Sequence, residues 1–195
     1  MILPPDLNCA AGGNYRLLMA DPPWSFSNFS AKGERKNAKA HYACMSLEAI
    51  KALPVRRLAA PDAILWLWAT NPMLPAAFAV LDAWGFQFKT AGHWCKRTKH
   101  GKLAFGTGYV LRSAGEPFLI GTVGKPKTSR SVRSVVEGVV REHSRKPEEA
   151  YAAAEALMPG GPYLDLFSRQ ERSGWDCWGA EAGRFSSIER AEDYA

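Results

Sequence analysis

Asp21, Pro22, Pro23 and Trp24 are consecutive and bring together a carboxylate, a rigid backbone and an indole ring. The prolines fix two φ angles, so the carboxylate and the nearby carbonyl oxygens become acceptors in fixed positions. An amino group on an aromatic base is a poor nucleophile until such acceptors take its hydrogens and stabilise the charge that develops on nitrogen. A stacked indole would hold the flat base. The tetrapeptide therefore suits methylation of an exocyclic amine such as N6 of adenine. Its structural alternative is a turn that ends a strand, with Trp24 in the core.

The segment before the tetrapeptide, Tyr15 to Ala20, is a short apolar run that predicts a buried parallel strand. Pro22 and Pro23 end this strand because neither can donate a ladder hydrogen bond. Asp21 would then lie at the carboxyl edge of a sheet, where open α/β sheets bind ligands. The polar residues 25–39 predict a loop that closes over the site.

Predicted strands alternate with predicted helices along the rest of the chain. Apolar runs predict strands at 63–69, 86–95, 117–123, 134–140 and 163–167. Capping residues and prolines predict helices at 46–53, 71–84 and 147–157. This order predicts one doubly wound α/β domain with a mainly parallel sheet, which covers residues 1–195 and has its core at about 14–181.

The composition favours a polyanionic partner. The chain has 25 Lys and Arg against 19 Asp and Glu, and its basic residues cluster at 32–39, 96–102, 125–133 and 141–146. Nucleic acid is the partner expected for such clusters. The four cysteines are scattered and no His stands at metal-ligand spacing, so no metal is expected. The sequence has no apolar run of the roughly 20 residues that a membrane span needs, and no signal peptide, which predicts a cytoplasmic protein.

Several further blocks follow the tetrapeptide in order. The full set is Met19 to Trp24, His41-Tyr42 with Met45-Ser46, Leu65 to Asn71, Trp94 to Lys96, Gly106 to Tyr109 with Arg112 and Glu116, Arg141 to Pro147, Leu164 to Arg169, and Gly174-Trp175 with Trp178-Gly179. In these blocks the chain resembles the MT-A70 family of S-adenosylmethionine-dependent N6-adenine methyltransferases, in particular its short bacterial and phage members. The resemblance extends from about Tyr15 to Glu181.

The resemblance implies a Rossmann-like methyltransferase fold in circularly permuted order, with the catalytic motif before the cofactor-binding strand. The catalytic residues that it implies are Asp21, Pro22, Pro23 and Trp24, and the residues that it implies for substrate binding are Tyr42, Lys96 and Glu116. The residues that it implies for S-adenosylmethionine binding are Asp21, Lys146, Phe167, Arg169, Gly179, Ala180 and Glu181. Family members commonly have an Asn at the position of Ala180, where it contacts the cofactor ribose. One hydrogen bond is therefore lost, or Glu181 supplies it.

Each assigned side chain also has a structural alternative. Two of them would form surface ion pairs instead: Arg169 with Glu171 or Asp165, and Glu116 with Arg112. Lys146 would begin a helix, Lys96 would belong to a solvated basic run, and Tyr42 would pack at the rim of the pocket.

The expected function is transfer of a methyl group to N6 of adenine in DNA. Methylation of RNA adenine and N4-methylation of cytosine act on a similar amine, and both alternatives stay open. A catalytically silent nucleic-acid-binding subunit is a third alternative. The sequence leaves open whether the chain acts alone, as a homodimer or with a partner subunit.

Overall fold

The computed structural model describes residues 13–25, 44–108, 110–142 and 145–185. Residues 26–39 of the predicted loop, together with Tyr42, lie outside the described residues. The strands are β1 (Tyr15–Ala20), β2 (Ala59–Trp68), β3 (Gln87–Arg97), β4 (Gly115–Val123), β5 (Val135–Val139), β6 (Tyr163–Leu166) and β7 (Trp175–Trp178). The α-helices are α1 (Leu47–Lys51), α2 (Leu74–Ala83) and α3 (Glu148–Leu157), and 3-10 turns lie at Val55–Arg57 and Asn71–Met73.

The strands form one sheet in the order β5-β3-β4-β2-β1-β6-β7. β1 is central and pairs in parallel with β2 and β6, while β3 pairs in parallel with β5, and β6 with β7. Among the described strands only β4 is antiparallel to its neighbours, β2 and β3. The predicted mainly parallel α/β sheet is confirmed, and the arrangement is consistent with a Rossmann-like methyltransferase fold.

Helices cover both faces of the sheet because the central strands are apolar on both sides. In β2, Leu65 and Leu67 pack in the cluster formed with α1 and α2. Trp66 and Trp68 point the other way and pack in the cluster formed with α3. This alternation follows from the period of two in a strand. In the part of the chain that the structure describes, no helix has the length and apolar character needed to cross a membrane.

The observed element ends differ from the predicted ones where polar residues extend a strand. β3 continues to Arg97, two residues beyond the predicted end, and β4 begins at Gly115 instead of Pro117. Lys96 and Glu116 are therefore parts of strands. The strand β7 was not predicted, since Trp-Asp-Cys-Trp is short and only Trp175 of its residues is buried. Its pairing with β6 defines it.

The direction of β4 determines which side chains reach the carboxyl edge of β1. Phe118 pairs with Trp68 at the end of β2, and Glu116 pairs with Trp94 near the end of β3. The start of β4 therefore lies at the edge where β1, β2 and β3 end. A parallel β4 would place Glu116 at the opposite edge of the sheet.

Candidate active site

The tetrapeptide Asp21–Trp24 is fixed at the end of β1 by backbone hydrogen bonds. The backbone N–H of Asp21 donates to the Leu166 carbonyl oxygen at 3.3 Å, and the backbone N–H of Trp24 donates to the Pro22 carbonyl oxygen at 2.7 Å. The two prolines have no N–H to satisfy. Every backbone donor of the tetrapeptide is thus paired.

Trp24 lies in the core, whereas the tetrapeptide predicts an indole that stacks on the base or forms a wall of its pocket. Its side chain packs in the cluster of α1 and α2 and is 3% exposed. Its indole N–H donates to the Trp68 carbonyl oxygen at 3.2 Å. A large apolar ring gains more from burial than from exposure beside the site, provided its N–H finds a partner. Trp24 therefore anchors the turn, and the structural alternative describes its position correctly.

Four side chains form a chain of ion pairs at this edge of the sheet. The Lys146 ammonium lies 2.8 Å from Asp21 Oδ2 and 2.5 Å from Glu116 Oε1. The Lys96 ammonium lies 2.8 Å from the other Glu116 oxygen, Oε2. Both cations also lie over indole rings: Lys146 is 5.2 Å from the Trp68 ring centroid, and Lys96 is 4.5 Å from that of Trp94. The structure thus brings together three predicted site residues that are distant in sequence from Asp21.

Burial and mutual attraction determine the protonation states of the side chains in this chain of ion pairs, which we call the ion chain. Burial raises the pKa of Asp21; attraction by Lys146 opposes the rise, and repulsion from Glu116 adds to it. Burial also disfavours ionisation of Glu116, but Lys146 and Lys96 outweigh it and lower its pKa to about 2. Burial disfavours the Lys146 ammonium, and its two carboxylate partners more than compensate, so its pKa is raised. Glu116 and Lys146 are therefore ionised at neutral pH.

The geometry decides two of the structural alternatives. Glu116 does not pair with Arg112, because its carboxylate is bound by Lys146 and Lys96. Arg112 instead lies over the ring of Phe105. Lys96 is part of the ion chain and not only a member of a solvated basic run.

A small cavity beside Asp21 opens towards the end of β6. Its lining residues are Asp21, Trp68, Arg145, Lys146, Tyr151, Asp165, Phe167, Ser168, Arg169 and Gln170. In this cavity the Tyr151 hydroxyl donates to Asp165 Oδ2 at 2.8 Å. Burial raises the pKa of Asp165 to about 7, although hydrogen bonds from Tyr151 and Ser168 oppose the rise. Asp165 therefore changes charge near neutral pH.

The segment after β6 turns sharply and is held by β7. Phe167 has a φ of 64°, which is unusual for a residue other than glycine and suggests a functional constraint. The Ser168 N–H donates to the Trp178 carbonyl oxygen at 2.9 Å. A Cβ on Gly179 would lie 2.4 Å from the Ser168 carbonyl oxygen, so only glycine fits there without displacement. Phe167 and Gly179 are thus brought together by the pairing of β6 with β7.

Arg169, which follows this turn, forms an ion pair with Glu181. Arg169 lies 2.8 Å from Glu181 Oε2, and its guanidinium lies 5.4 Å from the Phe185 ring centroid. Glu181 also pairs with Arg184. Ala180 is exposed and offers only a methyl group. The carboxylate of Glu181 is therefore already engaged by two cations.

Six residues that line the cavity are absent from the predicted site residues: Trp68, Arg145, Tyr151, Asp165, Ser168 and Gln170. Asp165 had a detectable signal, because a carboxylate in an otherwise apolar buried strand is rare. Tyr151 and Gln170 reach the cavity only through the packing of α3 and the turn after β6, which no local pattern encodes. Among the described residues, no group of three or more His, Cys, Asp or Glu side chains could hold a metal ion.

Comparisons with known proteins agree with this geometry. The family model of MT-A70 matches residues 15–181. The chain belongs to the MT-A70 family. Type II methyltransferase M.MunI of Mycoplasma sp is 27% identical over 86% of this chain and 77% of its own length. The human N(6)-adenine-specific methyltransferase METTL4 is 28% identical over 90% of this chain, and the N6-methyladenosine RNA methyltransferase MTA1 of Cryphonectria parasitica is 29% identical over 90%.

This chain spans 40% of the length of METTL4 and 54% of the length of MTA1. The ion chain, the cavity and the tetrapeptide all lie within the residues that the family model matches.

The contact between Gly179 and Ser168 predicts a stability effect. Gly179→Ala forces a Cβ against the Ser168 backbone, and we expect it to lower the free energy of unfolding by about 1–3 kcal/mol. Gly183→Ala is the matched control, because nothing lies within 4 Å of the added Cβ. Urea unfolding of the two variants measures the difference. Equal stability of both would contradict the close approach.

The burial of Asp165 predicts a pH-dependent stability. Its pKa of about 7 exceeds the value of about 3.9 in an unfolded chain, so the folded protein binds the proton more tightly. This contribution is fully favourable below pH 4 and is lost as pH rises to 7, by about 4 kcal/mol at most. Asp165→Asn keeps an acceptor for Tyr151 and removes the titration. We expect Asp165→Asn to stabilise the protein more at pH 7.5 than at pH 5 in urea unfolding; a gain independent of pH would contradict the shifted pKa.

Proposed function

We propose that the protein transfers a methyl group from S-adenosylmethionine to N6 of adenine in DNA. The observation that carries the proposal is the Asp21 carboxylate, fixed at the carboxyl edge of β1 and held by Lys146 in a chain that belongs to the MT-A70 family. The relative METTL4 is named as an N(6)-adenine-specific methyltransferase, which supports adenine as the base. Type II methyltransferase M.MunI, of which this chain covers 77%, supports DNA as the polymer.

Asp21 and the Pro22 carbonyl would accept the two amino hydrogens of the adenine. A carboxylate has about four acceptor positions, and Lys146 uses one of those on Asp21. The Pro22 carbonyl oxygen already accepts from the Trp24 N–H and has a second lone pair. Both acceptors are fixed before the base arrives, so little reorganisation is needed as charge develops on N6.

The proton released from N6 also needs an acceptor. Burial raises the pKa of Asp21, which makes its carboxylate a stronger base than an exposed one. Glu116 would not take this role, because two ammonium groups lower its pKa to about 2. In this proposal Glu116 and Lys96 position Lys146, and Lys146 positions Asp21.

The donor set of the cavity fits S-adenosylmethionine, which supplies an electrophilic methyl group when bound. Arg169 offers a cation for a carboxylate, and Asp165 offers acceptors for hydroxyl or amino groups. Lys146 and Asp21 both line the cavity and are joined by an ion pair, so Lys146 would link cofactor binding to the acceptor site. The side chain of Ala180 supplies no hydrogen bond, and Glu181 is engaged by Arg169 and Arg184. One ribose contact would therefore be missing, at a cost of about 0.5–1.5 kcal/mol.

RNA adenine is the second candidate substrate, because the relative MTA1 is named as an RNA methyltransferase. N4-methylation of cytosine has no comparable support. A catalytically silent subunit would not need a buried ammonium to hold Asp21, since an unused buried ion pair stabilises a fold little or not at all.

Removal of the Asp21 carboxylate tests the proposal. Labelled S-adenosylmethionine is incubated with DNA and either the wild type, Asp21→Ala or Asp82→Ala, the last an exposed carboxylate on α2. We expect Asp21→Ala to lower incorporation by about a hundredfold or more, because it removes the fixed acceptor, and Asp82→Ala to retain the wild-type rate. Equal incorporation by Asp21→Ala and wild type would contradict the assignment.

The product identifies the base and the polymer. Methylated DNA and RNA are digested to nucleosides and weighed by mass spectrometry. We expect N6-methyldeoxyadenosine as the main product when both polymers compete. N4-methyldeoxycytidine would contradict adenine as the substrate, and a product confined to RNA would contradict DNA.

A further inference from the structure

The connection between β3 and β4, residues 98–114, exposes large apolar side chains. We call it the β3–β4 loop. Leu103 is 55% exposed, Phe105 78%, Val110 94% and Leu111 82%. Single exposed apolar residues are ordinary, but four in one connection mark a surface that contacts another molecule.

Backbone hydrogen bonds and close contacts hold the described part of this loop in shape. The Ala104 N–H donates to the Lys96 carbonyl oxygen at 2.9 Å, and the Gly106 N–H donates to the Ser113 carbonyl oxygen at 2.7 Å. At the tip, a Cβ on Gly108 would lie 1.9 Å from the Leu111 carbonyl oxygen, so the turn requires glycine. The described part of the loop therefore presents Leu103, Phe105, Val110 and Leu111 from a formed structure.

The charge of the loop indicates the chemistry of its partner. Residues 98–114 include Lys99, Lys102, Arg112 and His100 but no Asp or Glu. The Arg112 guanidinium lies 4.9 Å from the Phe105 ring centroid, so cationic and aromatic surfaces adjoin. Cations beside apolar and aromatic side chains suit nucleic acid, because the cations can bind its phosphates and the apolar and aromatic side chains can contact its base faces.

The two ends of the loop lie in the candidate active site. Lys96 precedes the loop and Glu116 follows it, and the two are joined by an ion pair that continues through Lys146 to Asp21. A nucleic acid with a base at Asp21 therefore passes the two ends of the loop. When a base leaves a duplex, its neighbours lose stacking, and inserted apolar side chains replace part of it.

The geometry points to the β3–β4 loop as the element that opens a duplex beside the target base. Val110 and Leu111 insert between base steps, Phe105 contacts an exposed base face, and the cations of the loop bind the adjacent phosphates. This inference rests on the proposed function only in that a base occupies the site at Asp21. It adds that the substrate is double-stranded and that the loop stabilises its opened form.

The test compares double-stranded DNA with the same DNA after heat denaturation. The variant Val110→Ser/Leu111→Ser removes the apolar tip, and Phe88→Ser is the control, because it removes an exposed apolar side chain of β3 outside the site. Methylation rates and affinities by fluorescence anisotropy are measured at one salt concentration. We expect the tip variant to lose about tenfold or more in rate and affinity on duplex DNA and less than about threefold on denatured DNA. Phe88→Ser should match the wild type on both.

Every other outcome overturns the inference or shows that the proposed function, and not the role of the loop, is wrong. Equal losses on both forms, no loss on duplex, or a wild type that methylates only denatured DNA would overturn it. A wild-type oligomer that the tip variant abolishes, measured by light scattering, would show a protein interface instead. If the wild type methylates neither form, the proposed function fails. The affinities of the tip variant then decide. If the tip variant loses affinity for duplex DNA and not for denatured DNA, the inference is supported. If its affinity for duplex DNA is not selectively lost, the inference is overturned.

Discussion

One buried ammonium between two carboxylates is the interaction on which the site depends. Lys146 is 7% exposed and binds both Asp21 and Glu116. Removing an isolated charge from water costs several kcal/mol, and only close partners with good geometry offset it. The two carboxylates come from the end of β1 and the start of β4, and Lys146 comes from the segment before α3. Satisfying this one charge therefore requires all three segments to meet at the same edge of the sheet.

The antiparallel β4 makes this meeting compatible with an otherwise parallel sheet around β1. Parallel strands place their carboxyl ends at one edge, which brings Asp21 and the end of β6 together. Glu116 stands at the beginning of its strand and reaches the same edge only because β4 is reversed. The long connection from β3 to β4 then begins and ends at the site. Topology thus supplies both the acceptor geometry and a loop beside it.

The sequence predicted what local patterns encode and missed what only packing decides. Six of the seven strands and all three α-helices of the described residues were predicted, because apolar runs, prolines and caps mark them locally. The position of Asp21 at a strand end followed from the two prolines. The burial of Trp24 did not, since an indole after a turn has the same sequence signal whether it faces solvent or core. The ion chain was also invisible, because its members are separated by 20 residues or more.

The residues of the ion chain and the residues that attract the polymer are different sets. Asp21 and Glu116 balance Lys146 and Lys96, so the ion chain has no net charge when all four are ionised. A neutral centre tolerates an uncharged base beside a cationic methyl donor, but it adds little to long-range attraction for phosphates. The formal net charge of +6 must act elsewhere, and the carboxylate-free β3–β4 loop adjoins the centre. The strands β3 and β4 thus carry both the loop and two members of the ion chain, Lys96 and Glu116.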